Sequence, residues 1–295
     1  MPLDLLCVGM AAYDLTFCIT HQPGADEKMR ASTLLQSGGG PAANAAVAAA
    51  RLGLQSAFVG YLGQDLYGQA HLHELQAEGV DIQWVLQGSA CSPISSIYVK
   101  PDGSRSVVNY RDVTPVIQFV KPKQPTYLKA VLFDGHELQV SLALLEFAQA
   151  HQIPTILDAG SVHTGTEMLW NKVDYLVAAE TFALPFTAEK TPAGALQQLL
   201  PLCRNVIITS GTHGLVYHCD GETGAMPAFH VAVVDSTGAG DAFHGGFATA
   251  VAEGKSIRES LRFASAVAAL SCTHLGARPS LPYRNEVEAF LNARK

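Results

Sequence analysis

One stretch limits what this chain can fold into more than any other: Val234-Asp235-Ser236-Thr237-Gly238-Ala239-Gly240-Asp241-Ala242-Phe243-His244-Gly245-Gly246-Phe247. The β-rich run Phe229 to Val234 ends in an acid, crosses a turn of small residues and opens a helix without a break. Such a turn leaves backbone N–H groups unpaired at a helix N-terminus, where the macrodipole also favours negative charge. Gly238 and Gly240 let that backbone approach a ligand with no Cβ in the way. The stretch therefore reads as a phosphate site at a strand-turn-helix junction. Asp241 is the odd residue in it. An acid in a first helical turn ordinarily does no more than complement the dipole. Beside amides that hold a phosphate it repels the ligand, which makes sense if it accepts a proton from an attacking hydroxyl.

Asp235 to Asp241 resembles the D-T-x-G-A-G-D signature of the ribokinase-like (PfkB) carbohydrate kinases, with Ser236 at a permissive place. The resemblance implies that Asp241 is the catalytic base. It also implies that the Gly238, Ala239 and Gly240 amides form an anion hole for the transferred phosphoryl group and that Thr237 borders the nucleotide. The implied fold is a three-layer αβα sandwich with a mostly parallel central sheet and a small β-sheet lid. A single domain would span 1–295, with lid strands from about 12–36 and 92–111.

Composition agrees and excludes other classes. The 295 residues are 48% hydrophobic and 15% charged, as expected of a compact chain with little disorder. A net charge of −7 argues against nucleic acid as the main partner, which needs a basic face. The N-terminus lacks a basic region before its apolar run, so a cytoplasmic protein is expected. No apolar stretch reaches membrane-span length, since Ala42 to Leu54 is short and carries Asn44 and Arg51. Six scattered cysteines form no C-x-x-C pair and read as reduced thiols.

Along the chain, Leu3 to Val8 reads as a buried parallel strand, and Ala12 to Thr20 and Ala31 to Gln36 as lid strands. Ser37 to Asn44 then leads into a helix through Leu52, ended by Gly53. Gly38-x-Gly40-x-x-Ala43 also fits a loose dinucleotide-binding pattern, with Asp65 about twenty residues on. Against that rival, the glycines follow lid strands and not the first core strand. Gly39, Gly40 and Asn44, followed by the Ala-rich run to Arg51-Leu52-Gly53, resemble instead the family's sugar-binding stretch. Glycines admit a sugar ring close to the backbone, while Asp14 and Asn44 supply the acceptor and amide that hydroxyl pairs require.

Asp65 reads as a helix cap for a helix from about Gln69 to Glu78. Ile94 to Lys100 and Arg105 to Tyr110 form a hairpin around Pro101-Asp102-Gly103-Ser104, and Asn109 and Arg111 leave it where family members line the sugar pocket. From Lys129 onward strands and helices alternate, which means a parallel sheet covered by helices. Asp158 and Glu180 each follow a strand, but the family's N-x-x-E pattern near the second is Ala179-Glu180-Thr181-Phe182 here. Val206 to Tyr217 resembles the family's strand-turn-strand at the nucleotide and implies contacts from Thr209, Gly211 and Gly214. Gly276-Ala277-Arg278-Pro279-Ser280 resembles its C-terminal turn, where Ser280 and Asp235 would complete a K⁺ site.

The expected activity is ATP-dependent phosphorylation of a sugar hydroxyl, with Mg²⁺ bridging the ATP phosphates. Within the family the chain is most similar to bacterial 6-deoxy-6-sulfofructose kinases. Lys28 and Asn109 fall where those enzymes hold the sulfonate, and His136 stands in the place of their Arg. A neutral ketose, another hexose or a nucleoside is the alternative. A nicotinamide oxidoreductase and a catalytically silent sugar-binding protein are the non-kinase rivals. An exposed lid sheet would suit a homodimer.

Overall fold

The computed structural model describes residues 3–118 and 128–294. In chain order the elements are β1 (Leu5–Val8), β2 (Ala12–Cys18), β3 (Thr33–Gly39), α1 (Pro41–Arg51), β4 (Ser56–Gly63), α2 (Leu66–Ala77), β5 (Val85–Gly88), β6 (Ile94–Val99) and β7 (Arg105–Tyr110). The second half adds β8 (Ala130–Phe133), α3 (Leu138–Ala150), β9 (Thr155–Ala159), α4 (Thr164–Leu169), β10 (Tyr175–Ala179), α5 (Glu180–Thr187), α6 (Pro192–Leu199) and β11 (Asn205–Thr209). It closes with β12 (Leu215–Cys219), β13 (Glu222–Met226), α7 (Ala239–Ala252), α8 (Ile257–Ser271) and α9 (Arg284–Asn292).

The main sheet runs β13-β12-β11-β10-β9-β8-β1-β4-β5. Only β12 and β13 run antiparallel to their neighbours. A two-residue side-chain period divides each strand between two cores. Leu5 and Cys7 face a core closed by α1, α7 and α8, and Leu6 and Val8 face one closed by α3, α5 and α6. The result is a ribokinase-like three-layer sandwich. Because both strand faces are buried, β1 and β8 contain no polar residue.

The smaller sheet runs β3-β2-β6-β7 and forms the expected lid. Its register lines up Ser37, Asp14, Ser95 and Asn109 side by side across all four strands. Residues in register share a face, so these four polar side chains form one row. The opposite face carries Leu34, Phe17, Tyr98, Val108 and Tyr110, with Leu34, Val108 and Tyr110 exposed. No helix among the described residues is long and apolar enough to cross a membrane.

Two local expectations need correction. Ser37, Gly38 and Gly39 belong to β3 and not to the loop before α1, because they pair with Asp14, Tyr13 and Ala12. Phe229 to Val234 is not a strand. Past β13, which edges the sheet, the run has no ladder to join. It is tied down instead where the Val234 and Asp235 N–H groups donate to the Cys272 carbonyl at 2.8 and 3.3 Å.

Candidate active site

The site lies where the lid meets the N-termini of α1 and α7. Gly40 caps α1 at φ +92°, and a Cβ there would come within 2.6 Å of the Met10 carbonyl. Only glycine allows the chain to turn that tightly against the loop after β1. One turn into the helix, Asn44 is buried, and its Nδ2 donates to Asp241 Oδ2 at 2.8 Å. Its Oδ1 is buried with no partner among the described residues. A buried amide oxygen left unpaired is a place for a ligand hydroxyl.

Asp14 is buried in the polar row of the lid, and a Cβ on Gly39 would lie 2.1 Å from its carboxylate. Burial pushes the Asp14 carboxyl up to about 7; the Ser95 hydrogen bond opposes that rise and the nearby Asp241 charge adds to it. The two carboxylates therefore sense each other across the space that Asn44 opens.

Gly238 caps α7 with φ +76°, and a Cβ on it would strike Ala277 at 2.6 Å. Gly240 is exposed, with nothing within 4 Å of where its Cβ would be, so the approach to its backbone is open. Among the described residues the Gly240 and Asp241 N–H groups have no acceptor, whereas the Ala239 N–H turns back to the Ser236 carbonyl at 3.3 Å. The unpaired donors at this terminus thus include Asp241 itself in place of the expected Ala239. Asp241 is half-buried. Burial first and the Asp158 charge second push its carboxyl up to about 6, against the stabilising Asn44 hydrogen bond. A carboxylate of that basicity is ionised at neutral pH and can take a proton from an alcohol activated by phosphoryl transfer.

β10 and β11 end at a groove of about 560 Å³ lined by Glu180, Thr191, Ser210, His213 and Met226 among others. Thr209 ends β11, and its hydroxyl reaches the Ala178 carbonyl at 3.4 Å. Gly211 and Gly214 bound the single helical turn that follows, and a Cβ on Gly214 would lie 2.1 Å from the Met226 carbonyl. These three border the groove but do not line it; Ser210 and His213 do. Thr237 turns the other way, since its N–H and hydroxyl both donate to Asp235 Oδ1, at 2.9 and 2.6 Å. Thr237 therefore has no hydroxyl proton or N–H left for a nucleotide, and any contact falls to its carbonyl, its methyl group or the hydroxyl lone pairs.

Asp235 is fully buried and also accepts the Gly276 N–H at 2.9 Å. Among the described residues no cationic side chain pairs with it. Ser280 is buried close by in sequence to Gly276, its hydroxyl donating to the Ala277 carbonyl at 2.9 Å and leaving its lone pairs available. A buried carboxylate without a countercharge and a hydroxyl oxygen suit a hard monovalent cation.

The remaining expected residues are less concentrated. Lys28 is exposed in the loop between β2 and β3. Asn109 sits at the β7 end of the polar row. Arg111 is paired with Glu137 at 2.6 Å and also donates to the His136 carbonyl at 3.4 Å. His136 stacks on His163 with ring centroids 4.5 Å apart. Arg111 is thus largely neutralised, and burial pushes Glu137 up to about 7 despite it.

Several residues were not legible in sequence. Ser37 and Ser95 join Asp14 through strand register alone. Asp134 accepts the Met10 and Ala42 N–H groups at 2.7 and 3.2 Å, fixing the start of α1 against the end of β8. Arg105, on the lid, donates to Ser236 Oγ at 2.8 Å beside the turn into α7. Arg278 is buried behind Gly38, where it donates to His71 at 2.7 Å. Its place at the permissive position of a short motif gave no sign of that role.

Comparison with known proteins agrees with this geometry. Residues 3–284 match the pattern of the pfkB family carbohydrate kinases. The chain is 33% identical to the ribokinase of Bacillus subtilis (strain 168), over 98% of this chain and 99% of that one. It is 26% identical to fructokinase-2 of Solanum lycopersicum, over 87% and 88%. It superposes on the Arabidopsis thaliana ribokinase complexed with ribose and ATP with a TM-score of 0.81 at 28% identity, covering 99% of each.

Proposed function

Because this chain belongs to the pfkB family of carbohydrate kinases and is an ATP-dependent sugar kinase, we propose that its substrate is an uncharged pentose or ketohexose whose hydroxyl is deprotonated by Asp241. The observation that carries this reading is the 2.8 Å hydrogen bond from Asn44 to Asp241, which joins the sugar side of the pocket to the phosphoryl side. Asp14, Gly39, Gly40 and Asn44 hold the sugar, with the Ser95 hydroxyl supporting Asp14. The orphaned Asn44 oxygen accepts one sugar hydroxyl.

The γ-phosphoryl group meets the amides of Gly240 and Asp241 at the start of α7, with Gly238 and Ala239 shaping the turn. A fixed donor of this kind typically contributes about 3–4 kcal/mol to a charged transition state. The rest of ATP lies along the groove beside Thr209, Gly211 and Gly214. Mg²⁺ bound with the nucleotide would supply neutralisation of the phosphate charge. Glu180, the carboxylate that lines the groove, would be the side chain available to hold it, and among the described residues no cluster of three such side chains forms a metal site of its own. K⁺ would be held by Asp235 and Ser280 and would balance the buried charge behind the turn.

The relatives named ribokinase and fructokinase support an uncharged sugar. So does the ion pair that occupies Arg111. A second reading, phosphorylation of 6-deoxy-6-sulfofructose, is favoured by Lys28, which has no acidic partner within ion-pairing distance among the described residues, and by Asn109 in the polar row. The protein would work in the cytoplasm as one kinase domain, paired with a second copy through the apolar outer face of the lid. A coupled ADP-release screen over pentoses, ketohexoses, nucleosides and sulfonated sugars, with and without K⁺, tests the assignment. Turnover only on a sulfonated sugar overturns the uncharged-sugar reading.

A further inference from the structure

His244 lies one turn into α7, buried, and its two ring nitrogens face only groups that accept hydrogen bonds. Nδ1 is 2.7 Å from the Gly240 carbonyl and 3.2 Å from Asp158 Oδ2, and Nε2 is 3.2 Å from the Val177 carbonyl. A neutral imidazole has one N–H to give. Whichever nitrogen carries it, the other then faces an oxygen lone pair with no proton between them. Only the doubly protonated ring supplies a proton to both sides, and the Asp158 carboxylate beside it balances the charge.

Resting on the reading of Asp241 as base and the start of α7 as anion hole, we propose that His244 and Asp158 form a buried ion pair that acts as the positioning unit of the active site. The pair holds the Gly240 carbonyl inward and so aims the Asp241 N–H outward at the phosphoryl group. The mechanical link is the peptide bond itself. The Gly240 carbonyl and the Asp241 N–H belong to one planar unit and point in opposite directions. A ring that anchors the oxygen from inside therefore fixes the direction of the outward donor. The same ring places a positive charge under the hole, where phosphate charge accumulates during transfer.

The surrounding charges are consistent with a pair titrating as a unit. Burial works against both ions, lowering His244 and pushing Asp158 up to about 8, with Asp134 adding to the second effect. Two buried partners pushed in these directions together keep one proton and no net charge near neutral pH. Asp158 on β9, Asp241 on α7, Asp134 just after β8 and Arg105 on β7 are the charged groups that act on this cluster. The Asp158 charge raises the Asp241 carboxyl and the His244 and Arg105 charges lower it. Loss of the imidazolium alone would thus make Asp241 more basic.

The primary test is ring-nitrogen NMR on the full-length wild-type protein labelled with ¹⁵N-histidine, with His244 assigned by difference against His244→Asn. Both nitrogens of His244 should carry protons near pH 7; a bare Nδ1 or Nε2 overturns the proposal whatever the activity. The kinetic test uses His244→Phe, Asp158→Asn and the double variant. Each single change should lower kcat by about tenfold or more with sugar KM within about threefold, and the double variant should be no worse than the weaker single, as for residues acting together. His244→Phe should also move the acid limb of the kcat–pH profile upward. An unmoved limb with normal kcat, or losses that multiply in the double variant, would count against it. Failure of the kinetic test with a doubly protonated ring separates this inference from the base assignment, which Asp241→Asn tests alone.

Discussion

Asn44 and Asp241 are 197 positions apart, yet the amide of one donates to the carboxylate of the other at 2.8 Å. Each starts from the N-terminal turn of its own helix, so two helix termini and their unpaired donors converge on one pocket. Replacing Asn44 by Ala removes both the Asp241 contact and the orphaned oxygen. Sugar KM should rise about tenfold or more, by analogy with a lost hydrogen bond to a buried group, while ATP KM changes little. Initial-rate kinetics over both substrates check this, and an unchanged sugar KM would place the sugar elsewhere.

Asp241→Asn keeps the shape and the hydrogen bond to Asn44 but not the basicity. We expect turnover to fall by about two or more orders of magnitude with both KM values within a few-fold. Coupled ADP release measures it. Near-normal turnover would remove Asp241 from the chemistry.

Acid should affect activity and stability in opposite directions. The base must be ionised, and its carboxyl lies near 6, so kcat should fall as pH drops through that value. Asp14 and Glu137 are also raised, each to about 7. A carboxyl raised on folding binds its proton more tightly in the native state. The stability it contributes is full below its unfolded pKa and is lost as pH rises through the folded one. The ligand-free enzyme should therefore melt higher at pH 6 than at pH 9, by scanning calorimetry, while its turnover at pH 5 is already low. A melting temperature that rises steadily across that range would contradict the burial of these groups.

Gly238→Ala puts a methyl group on Ala277 and forces a left-handed backbone on a residue that resists it. Such strain is worth about 1–3 kcal/mol. Because the clash falls between the turn into α7 and the loop carrying Ser280, we expect any K⁺ activation to be lost together with turnover. Kinetics with K⁺ against choline, beside a thermal melt, read both. Full activity and unchanged K⁺ response would separate the two loops.

Gly39→Ala tests the lid side. Its methyl would occupy the place of the Asp14 carboxylate, which must then swing away. Sugar affinity should be reduced by at least about tenfold, with the fold intact by circular dichroism. Titration calorimetry with the preferred sugar would show this directly.

The residues that were readable from sequence are those whose neighbours in the chain are also their neighbours in the pocket. Gly238, Gly240 and Asp241 lie in one turn, and Gly39, Gly40 and Asn44 follow closely across the junction of β3 and α1. Asp65 likewise caps α2 as its position suggested, accepting the Gly68 N–H at 2.8 Å. What the chain order hid depends on pairing at long range. Ser37 and Ser95 come level with Asp14 through strand register, and Asp158 reaches His244 only once β9 lies under α7. The misreading of Phe229 to Val234 has a related cause. β-Propensity describes fit to a pleated surface, and past the edge strand there is no such surface to join. For Thr237 the motif located the residue correctly, but the direction of its hydroxyl was set by Asp235, a choice no spacing reveals.

The seam between α1 and α7 has a further consequence. A Cβ on Gly245 would fall 2.7 Å from the Ala48 methyl and 2.9 Å from the Ala45 carbonyl, so the two helices touch almost backbone to backbone. The alanine run carries no reactive group, yet it sets the gauge of the whole catalytic gap. A single extra methyl along that line would push the amide and the acid apart, and the enzyme would register it as slower chemistry before it registered it as a weaker fold.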